Sequence, residues 1–299
     1  MFRVQILMST YNGEKFLREQ IDSILSQTYD NIELLIRDDG SSDNTVGILQ
    51  EYAEKYENVN VFCGQNLGAA NSFFELLQCA NEQCDYFALA DQDDIWLPEK
   101  IAKAINKLQQ GEKTHPLLYC SRYVLVNELL EEMQMSIKQI DIRPSFGNAL
   151  VENCAAGCTF VFTRELWFKL KEYTPMNAIM HDWWIYLVAT FFGSVIFDHA
   201  GYILYRQHSS NTIGARNTYI KEFKHRLSKF HSNKGKILRQ ITEFQTAYDK
   251  NAEAVLLTRM VNYKNNIAMR LSIVKSNEVY RQRKFDSIIF KFLFLIGRV

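Results

Sequence analysis

The stretch Tyr86-Phe87-Ala88-Leu89-Ala90-Asp91-Gln92-Asp93-Asp94 joins five apolar residues to three carboxylates. A short apolar run bounded by polar residues predicts a buried strand, and open α/β sheets bind ligands at the carboxyl ends of their strands. Carboxylates this close repel one another unless a cation neutralises them, and Mg²⁺ typically binds one or two carboxylates together with substrate phosphates. We therefore predict a metal and diphosphate site here. The alternative is that Asp94 or Pro98 merely opens the next helix.

Strand, loop and helix alternate three times before this stretch, which predicts a parallel α/β sheet. The predicted strands are Val4–Met8, Ile32–Ile36 and Val59–Phe62, and the predicted helices span 14–27, 45–55 and 70–80. Because each loop follows a strand, the loops gather on one edge of the sheet, where a ligand would bind.

The first two of these loops carry groups that suit a nucleotide. The loop Ser9–Glu14 offers hydroxyls, backbone N–H groups and a helix amino terminus. It has neither of the Gly-rich phosphate motifs GxGxxG and GxxxxGK(S/T), which argues against a dinucleotide or P-loop enzyme. Asp38 and Asp39 follow the second strand. There they either accept hydrogen bonds from a base or ribose or only form a turn with Gly40.

Four ordered motifs within the first hundred residues resemble the family-2 glycosyltransferases of GT-A fold. They are Met8-Ser9-Thr10-Tyr11-Asn12-Gly13, Ser23–Tyr29, Arg37-Asp38-Asp39-Gly40-Ser41-Ser42-Asp43-Asn44-Thr45 and Asp91-Gln92-Asp93-Asp94-Ile95-Trp96. The resemblance implies a Rossmann-like, mostly parallel mixed sheet flanked by helices. It also implies a nucleoside-diphosphate sugar donor, Mg²⁺ or Mn²⁺ as cofactor, and inversion at the anomeric carbon.

The same resemblance assigns roles to individual positions. Asp39 would contact the base, and Asp93, as the last Asp of the family's DxD motif, would bind the metal ion. The nucleotide-sugar contacts implied in this way are Thr10, Tyr11, Asn12, Glu14, Asp39, Asn66, Asp91 and Gln92. Arg206 and His208 follow a later strand, where we predict that they reach the diphosphate and the metal as a loop closes.

A second chemical centre is predicted at Met180-His181-Asp182-Trp183-Trp184. An inverting transfer needs a base that takes the proton of the acceptor hydroxyl, and desolvation beside two Trp would raise the pKa of a carboxylate towards the useful range. Asp182 matches the position of the base in similar enzymes, which usually carry Glu-Asp where this chain has His-Asp. We predict acceptor contacts for His181, Trp183 and Trp184. The alternative is that Asp182 caps a helix at 183–192 while both Trp pack in the core.

The donor and acceptor are suggested by the later motifs. His-Asp-Trp-Trp, together with Tyr205-Arg206-Gln207-His208 and Asn211-Thr212-Ile213-Gly214, resembles bacterial rhamnosyltransferase-like members of the family. This implies dTDP-L-rhamnose as donor and a lipid-linked glycan of the cell wall, capsule or O-antigen as acceptor. A UDP-hexose or UDP-N-acetylhexosamine donor is the alternative. A nucleotidyltransferase is less favoured, because it would normally carry a Gly-rich, basic triphosphate loop near the amino terminus.

Residues 216–299 differ in charge from the rest of the chain. They carry 18 Lys and Arg against 6 Asp and Glu, a net charge of +12, while residues 1–215 carry 16 against 28, a net charge of −12. Apolar residues at helical spacing predict helices around 223–230, 237–244, 252–263 and 266–275. The apolar segment Phe285–Arg298 suits an interfacial helix on anionic lipid. A helical hairpin that packs on the catalytic domain, or on a second subunit in a homodimer, is the alternative.

Domain organisation and location follow from these observations. We predict a catalytic domain over 1–215, with a nucleotide half at 1–100 and an acceptor half at 101–215, followed by a basic helical region over 216–299. The tail's aromatics alternate with aliphatics as in a core, so we predict no nucleic-acid partner. The six cysteines form no zinc motif and predict free thiols. Without a signal peptide or an 18-residue apolar run, we expect a cytoplasmic protein bound peripherally to the inner face of the cell membrane.

Overall fold

The structure is a computed structural model that describes residues 1–111, 115–133, 141–208, 235–249 and 254–297. Its contacts divide the chain into two compact units. The first comprises Met1–Gln134, Ala155–Glu172 and Met180–Ala215, and the second comprises Met135–Cys154, Tyr173–Ile179 and Arg216–Val299. The second unit thus includes two segments from within the range predicted as catalytic. The functional division of the chain stays a prediction.

The first unit is built on one eight-stranded mixed sheet. Its strands are β1 (Val4–Thr10), β2 (Ile32–Asp38), β3 (Val59–Cys63), β4 (Tyr86–Ala90), β5 (Ile95–Trp96), β6 (Leu117–Val126), β7 (Val161–Thr163) and β8 (Ser194–Arg206). Their order is β3-β2-β1-β4-β7-β6-β8-β5. The strands β3, β2, β1 and β4 run parallel, and β7 is antiparallel to both β4 and β6. The predicted α/β class is confirmed.

Helices cover the central strands of this sheet. They are α1 (Leu17–Leu25), α2 (Thr45–Lys55), α3 (Ala69–Cys79), α4 (Lys100–Gln109), α6 (Arg164–Lys171) and α7 (His181–Phe192). The strand β4 is buried along its whole length because the sheet is covered on both faces, which explains why it reads as an uninterrupted apolar run. In α4 the buried residues Ile101, Ala104, Ile105 and Leu108 recur at helical spacing. Residue 90 therefore ends a rigid core strand, and the acidic cluster begins where that core stops.

Several boundaries differ from the prediction. The strand at 86–90 and the helix at 45–55 have the predicted bounds, but α1 begins at Leu17 and α7 begins at His181. The early start of α7 puts His181 and Asp182 inside its first turn. The helix α6 and the short strand β5 are additional elements, while the predicted helix near 223–230 and the motif at 211–214 lie outside the described residues.

The second unit is helical, as predicted for the carboxyl-terminal part of the chain. Its helices are α5 (Phe146–Ala149), α8 (Lys236–Tyr248), α9 (Val255–Asn262), α10 (Ile267–Lys275) and α11 (Lys284–Leu295). Glu243 of α8 accepts hydrogen bonds from the Tyr173 hydroxyl and from the N–H groups of Met176 and Asn177. This carboxylate therefore holds the segment that leads into α7. Within the described ranges, every helix is too short or too polar to cross a bilayer.

Candidate active site

The loops after β1 and β2 are fastened to each other by side chains predicted to bind the nucleotide. Asn12 adopts a positive φ of 48°, and its Oδ1 accepts a hydrogen bond from the Ser42 N–H at 2.8 Å. Glu14 accepts one from the Asn44 N–H at 2.8 Å through Oε2. Asn12 and Glu14 thus shape the rim of the proposed nucleotide site from within the protein. Their predicted contacts with the nucleotide itself stay predictions.

The two Asp residues after β2 are both buried and both hydrogen-bonded. Thr10 donates to Asp38 Oδ1 at 3.1 Å, and the N–H groups of Gly40 and Ser41 donate to Asp38 Oδ2. Asp39 is only 2% exposed. Both residues therefore form the turn that the sequence left as an open alternative, and ligand contacts by them stay predictions.

Asp39 also connects the second loop to the third. Its two oxygens accept hydrogen bonds from the N–H groups of Leu67 and Gly68 at 2.8 Å each, and it pairs with Arg37. Close to these contacts, Asn66 is exposed. On the loop after β1, Tyr11 is also exposed, to 47%. Among the predicted nucleotide residues, Tyr11, Asn12, Glu14 and Asn66 are exposed, whereas Thr10 and Asp39 are buried.

The residues of the Asp-Gln-Asp motif point to different partners. Gln92 makes two hydrogen bonds with the backbone of Tyr11, accepting from its N–H at 2.8 Å and donating to its carbonyl at 3.0 Å. Asp93 Oδ2 lies 2.7 Å from Nε2 of His208. The structure thus brings together Asp93 and His208, the two predicted metal ligands, although 115 positions separate them.

Asp91 lies in an unusual electrostatic environment. Burial, followed by the charges of Asp93 and Asp182, raises its pKa to about 7, although a hydrogen bond with the Cys158 thiol opposes the shift. Burial, followed by the charges of Asp91 and Asp93, also holds the pKa of Asp94 well above its usual range. Burial and the repulsion between neighbouring carboxylates thus let Asp91 retain a proton near neutral pH.

Arg206 at the end of β8 holds this acidic loop in place. Its guanidinium donates to the backbone carbonyls of Asp93 at 2.9 Å and Glu128 at 2.7 Å, and it pairs with Glu19. Its backbone N–H donates to Asp94 at 3.2 Å. Because Arg206 is 1% exposed, its visible role is to join β8 to the DxD loop, and its contact with a diphosphate stays a prediction.

The predicted base Asp182 lies in the first turn of α7. Its Oδ1 accepts a hydrogen bond from the Trp183 N–H at 2.7 Å, while the N-cap position is occupied by Met180. Asp182 is therefore not the N-cap of this helix. The helix amino terminus also favours a negative charge at this position. Since Asp182 raises the pKa of Asp91, the structure brings the predicted base within electrostatic reach of the predicted metal loop.

The predicted acceptor residues differ in their exposure. His181 stacks on Phe73 with ring centroids 4.0 Å apart, and its ring nitrogens have no hydrogen-bond partner among the described residues. Burial lowers the pKa of His181 to about 3, so its imidazole is neutral. Trp184 is fully buried and Trp183 is 7% exposed, which corresponds to the core-packing alternative. Acceptor contacts of these three residues stay predictions.

Three neighbours of the site were not among the predicted site residues. A Cβ on Gly157 would lie 2.9 Å from Nε2 of His181 and 3.1 Å from the Asp182 Cβ, so glycine there gives α7 its space. Cys158 is buried next to Asp91 and Asp94. The third is Lys100, whose Nζ lies 3.2 Å from the centroid of the Trp96 ring. The small-residue run around Gly157 was a usable signal, but Lys100 reads as an ordinary helix residue.

The donor set fits a hard divalent cation. Ligand atoms of Asp91, Asp94 and Cys158 lie within 4.8 Å of one another. Burial, and then the neighbouring carboxylates, raise the pKa of Asp91, and a bound cation would favour its ionised form. Burial and the nearby carboxylates also raise the pKa of the Cys158 thiol. A protonated thiol is a poor metal ligand, so oxygen ligands and Mg²⁺ or Mn²⁺ are favoured over soft metals.

Comparisons with known proteins agree with this geometry. The family model described as glycosyl transferase family 2 matches residues 5–166. The dTDP-rhamnosyl transferase RfbG of Shigella flexneri is 31% identical over 229 residues, which cover 73% of this chain and 77% of that protein. The UDP-Glc:alpha-D-GlcNAc-diphosphoundecaprenol beta-1,3-glucosyltransferase WfgD of Escherichia coli is 30% identical over 168 residues, or 55% of this chain and 62% of that protein.

Solved structures share the fold at low sequence identity. Staphylococcus aureus TarS in complex with UDP-GlcNAc has a TM-score of 0.59 at 17% identity, covering 90% of this chain and 73% of that one. The mannosyltransferase PcManGT of Pyrobaculum calidifontis in complex with GDP-Man and Mn²⁺ has a TM-score of 0.52 at 16% identity, covering 99% and 87%. The GT-A-like architecture expected from the sequence is thereby confirmed.

Proposed function

The chain belongs to glycosyl transferase family 2, and from this membership we propose that it is an inverting, metal-dependent enzyme that transfers a sugar to a lipid-linked glycan. The observation that carries the proposal is the convergence of Asp91, Asp93 and Asp182. The charges of Asp93 and Asp182 both act on Asp91, although Asp182 comes from a helix some ninety positions further along the chain. A metal-binding carboxylate pair and a carboxylate base in one site are what an inverting transfer requires.

The proposed reaction is a single displacement. Asp182 takes the proton of the acceptor hydroxyl, and the acceptor oxygen bonds to the anomeric carbon from the face opposite the diphosphate. The bond between that carbon and the diphosphate oxygen breaks, and the nucleoside diphosphate leaves with the electron pair. Held by Asp93 and His208, Mg²⁺ or Mn²⁺ would offset the negative charge on the leaving diphosphate.

The remaining residues would position the donor. Tyr11 and Asn66 are exposed and would contact the nucleotide directly, while Asn12, Glu14 and Gln92 hold the loops that surround it. Thr10 and Asp39 support the floor of this site through their hydrogen bonds. Arg206 would act mainly by fixing the loop that carries Asp93.

We propose dTDP-L-rhamnose as the donor. Support comes from RfbG, a dTDP-rhamnosyl transferase that matches most of this chain. The alternative is a UDP-hexose or UDP-N-acetylhexosamine donor, which WfgD supports because its name specifies UDP-Glc. That name also specifies a diphosphoundecaprenol-linked acceptor, which supports a lipid-linked saccharide acceptor for this chain. Such an acceptor would place the enzyme at the cytoplasmic face of the cell membrane.

The test is a pair of variants compared with the wild type in a donor screen. Binding of dTDP-rhamnose and of UDP-sugars is measured by thermal shift with and without Mn²⁺, where a ligand at a hundred times its Kd adds about 2.7 kcal/mol. Asp93→Ala should abolish both the Mn²⁺-dependent shift and transfer. Asp182→Asn should abolish transfer but keep the shift, because an Asn oxygen can still accept the Trp183 N–H.

The controls separate this proposal from its rivals. Asp141→Asn removes one exposed negative charge in the second unit and should change neither property. Release of pyrophosphate instead of a nucleoside diphosphate would identify a nucleotidyltransferase. A Mn²⁺-dependent shift with a UDP-sugar alone would keep the mechanism and replace the rhamnose donor. An Asp182→Asn enzyme with most of its activity would show that another group is the base.

A further inference from the structure

The helix α11 presents apolar side chains on two opposite faces. Its inner face buries the apolar Phe290 and Phe294, each 1% exposed, together with the carboxylate of Asp286, which is 7% exposed. The opposite face, here called the outer stripe, consists of Phe285, Ile288, Phe292 and Ile296, which are 58%, 66%, 60% and 43% exposed. Spacings of three, four and four residues place the four outer residues in one line along the helix. A surface helix would normally carry polar residues there.

Contacts within the second unit fix the direction of this stripe. Phe294 stacks on Tyr263 with ring centroids 4.0 Å apart. Lys291 donates to the Ser276 carbonyl at 2.8 Å, and Arg270 donates to the Leu295 carbonyl at 3.3 Å. Because these contacts hold the carboxyl-terminal half of α11, the helix cannot rotate to bury its outer stripe without breaking them.

The surroundings of the stripe are apolar and basic. Ile267 and Leu271 on α10 are 70% and 42% exposed, one helical turn apart. The exposed residues Lys264, Lys275 and Lys284 lie at or next to the ends of α10 and α11. Over residues 254–297 the sequence carries 8 Lys and Arg against 2 Asp and Glu, and one of those acids, Asp286, is buried. Large exposed apolar side chains beside exposed lysines are typical of helices that lie in a membrane interface.

We propose that the outer stripe of α11 inserts into the interface of a bilayer that contains anionic phospholipid, with the lysines around it contacting the headgroups. The proposal rests on the proposed function only in that a lipid-linked acceptor gives the enzyme a reason to bind membranes. Charge favours this occupant over a second copy of the chain, because pairing the same face of two copies would bring like charges together. An anionic surface instead attracts them.

The test measures binding to sedimented vesicles. The wild type should bind vesicles of phosphatidylcholine with about 30 mol% phosphatidylglycerol and bind pure phosphatidylcholine vesicles weakly, since each basic residue near an anionic surface contributes about 1 kcal/mol. The triple variant F285S/I288S/F292S should reduce the partition coefficient by roughly tenfold or more. The matched control F168S replaces a Phe that is 48% exposed on α6 of the first unit and should bind as the wild type does.

Two results would overturn the proposal. One is equal vesicle binding by the wild type and the triple variant. The other is that the wild type does not bind vesicles and sediments as a dimer, while the triple variant sediments as a monomer. The outer stripe would then be a subunit interface. Donor turnover is measured separately as nucleoside diphosphate released in vesicle-free buffer. If the wild type releases no nucleoside diphosphate, that result counts against the proposed function. The role of the outer stripe is decided by vesicle binding alone.

Discussion

The affinity of the protein for Mn²⁺ should depend on pH through Asp91. Burial and the charges of Asp93 and Asp182 raise the pKa of Asp91 to about 7, so at pH 6 this carboxyl carries a proton in most molecules. A cation that uses Asp91 must displace that proton. We therefore expect Mn²⁺ to bind more tightly as the pH rises through 7, and to gain little above about pH 8, where Asp91 is already ionised.

The magnitude follows from the pKa. With a pKa of about 7, roughly one molecule in ten has Asp91 ionised at pH 6 and about nine in ten at pH 8, which weakens the apparent Kd for Mn²⁺ about tenfold at pH 6. The same shift affects stability. Since the folded pKa lies above the ordinary value of 3.8, the free energy of unfolding should fall between about pH 4 and pH 7. The full decrease in the free energy of unfolding is about 4 kcal/mol. Above pH 7, bound Mn²⁺ should offset this decrease.

The assay is calorimetric titration of Mn²⁺ at pH 6, 7 and 8 in buffers that do not bind metals. Asp182→Asn provides the internal check, because removing one neighbouring charge should lower the pKa of Asp91 and flatten the pH dependence. A Kd for Mn²⁺ that stays constant within about twofold from pH 6 to pH 8 would refute the reasoning. Asp91 would then either be ionised throughout this range or take no part in metal binding.

Three other changes test the packing around the site. Gly157→Ala should lower kcat roughly tenfold at unchanged donor Kd. The new Cβ would lie 2.9 Å from His181 Nε2 and 3.1 Å from the Asp182 Cβ. An unchanged kcat would contradict this prediction. Burial lowers the pKa of Lys100 to about 7, so Lys100→Met should raise the free energy of unfolding at pH 7 by up to about 4 kcal/mol. In urea denaturation that gain should shrink as the pH rises from 7 towards 10.5, the ordinary pKa at which unfolded Lys100 also begins to lose its proton. Glu243→Ala should cost roughly 1 to 3 kcal/mol, because three donors lose their acceptor; a loss below about 0.5 kcal/mol would show that water replaces it.

Local sequence pattern accounts for the sheet and the location of the site. The run Tyr86–Ala90 has the bounds predicted for it because a strand buried on both faces must be apolar throughout. The helix Thr45–Lys55 likewise follows from helical periodicity. Since parallel strands place their carboxyl ends on one edge, the convergence of Thr10, Asp38 and Asp91 follows from strand order alone. The helix α6 was missed because it begins at Arg164 directly after β7, with no turn residues to mark the boundary.

Side-chain partners could not be predicted in the same way. Three polar residues at the ligand edge of the sheet illustrate this: Asn12, Glu14 and Arg206. Their side chains could hydrogen-bond equally well to a nucleotide or to a neighbouring loop. Their partners lie 30 to 187 positions away, so no local spacing reveals them. The burial of Lys100 depends on the face that α4 turns towards the site, which becomes known only when the sheet and helices are assembled.

The position of Arg206 and His208 at the end of the sheet also affects how the protein matures during synthesis. Asp93 meets His208 only after another 115 residues have been added, which at 5 to 20 residues per second takes roughly 6 to 23 seconds. Until then the acidic loop of a nascent chain lacks both the imidazole and the guanidinium that hold it. A chain released before residue 206 is made could therefore pair its first four strands and form the contacts of Gln92 with Tyr11, but it would lack those of Arg206 and His208 with Asp93.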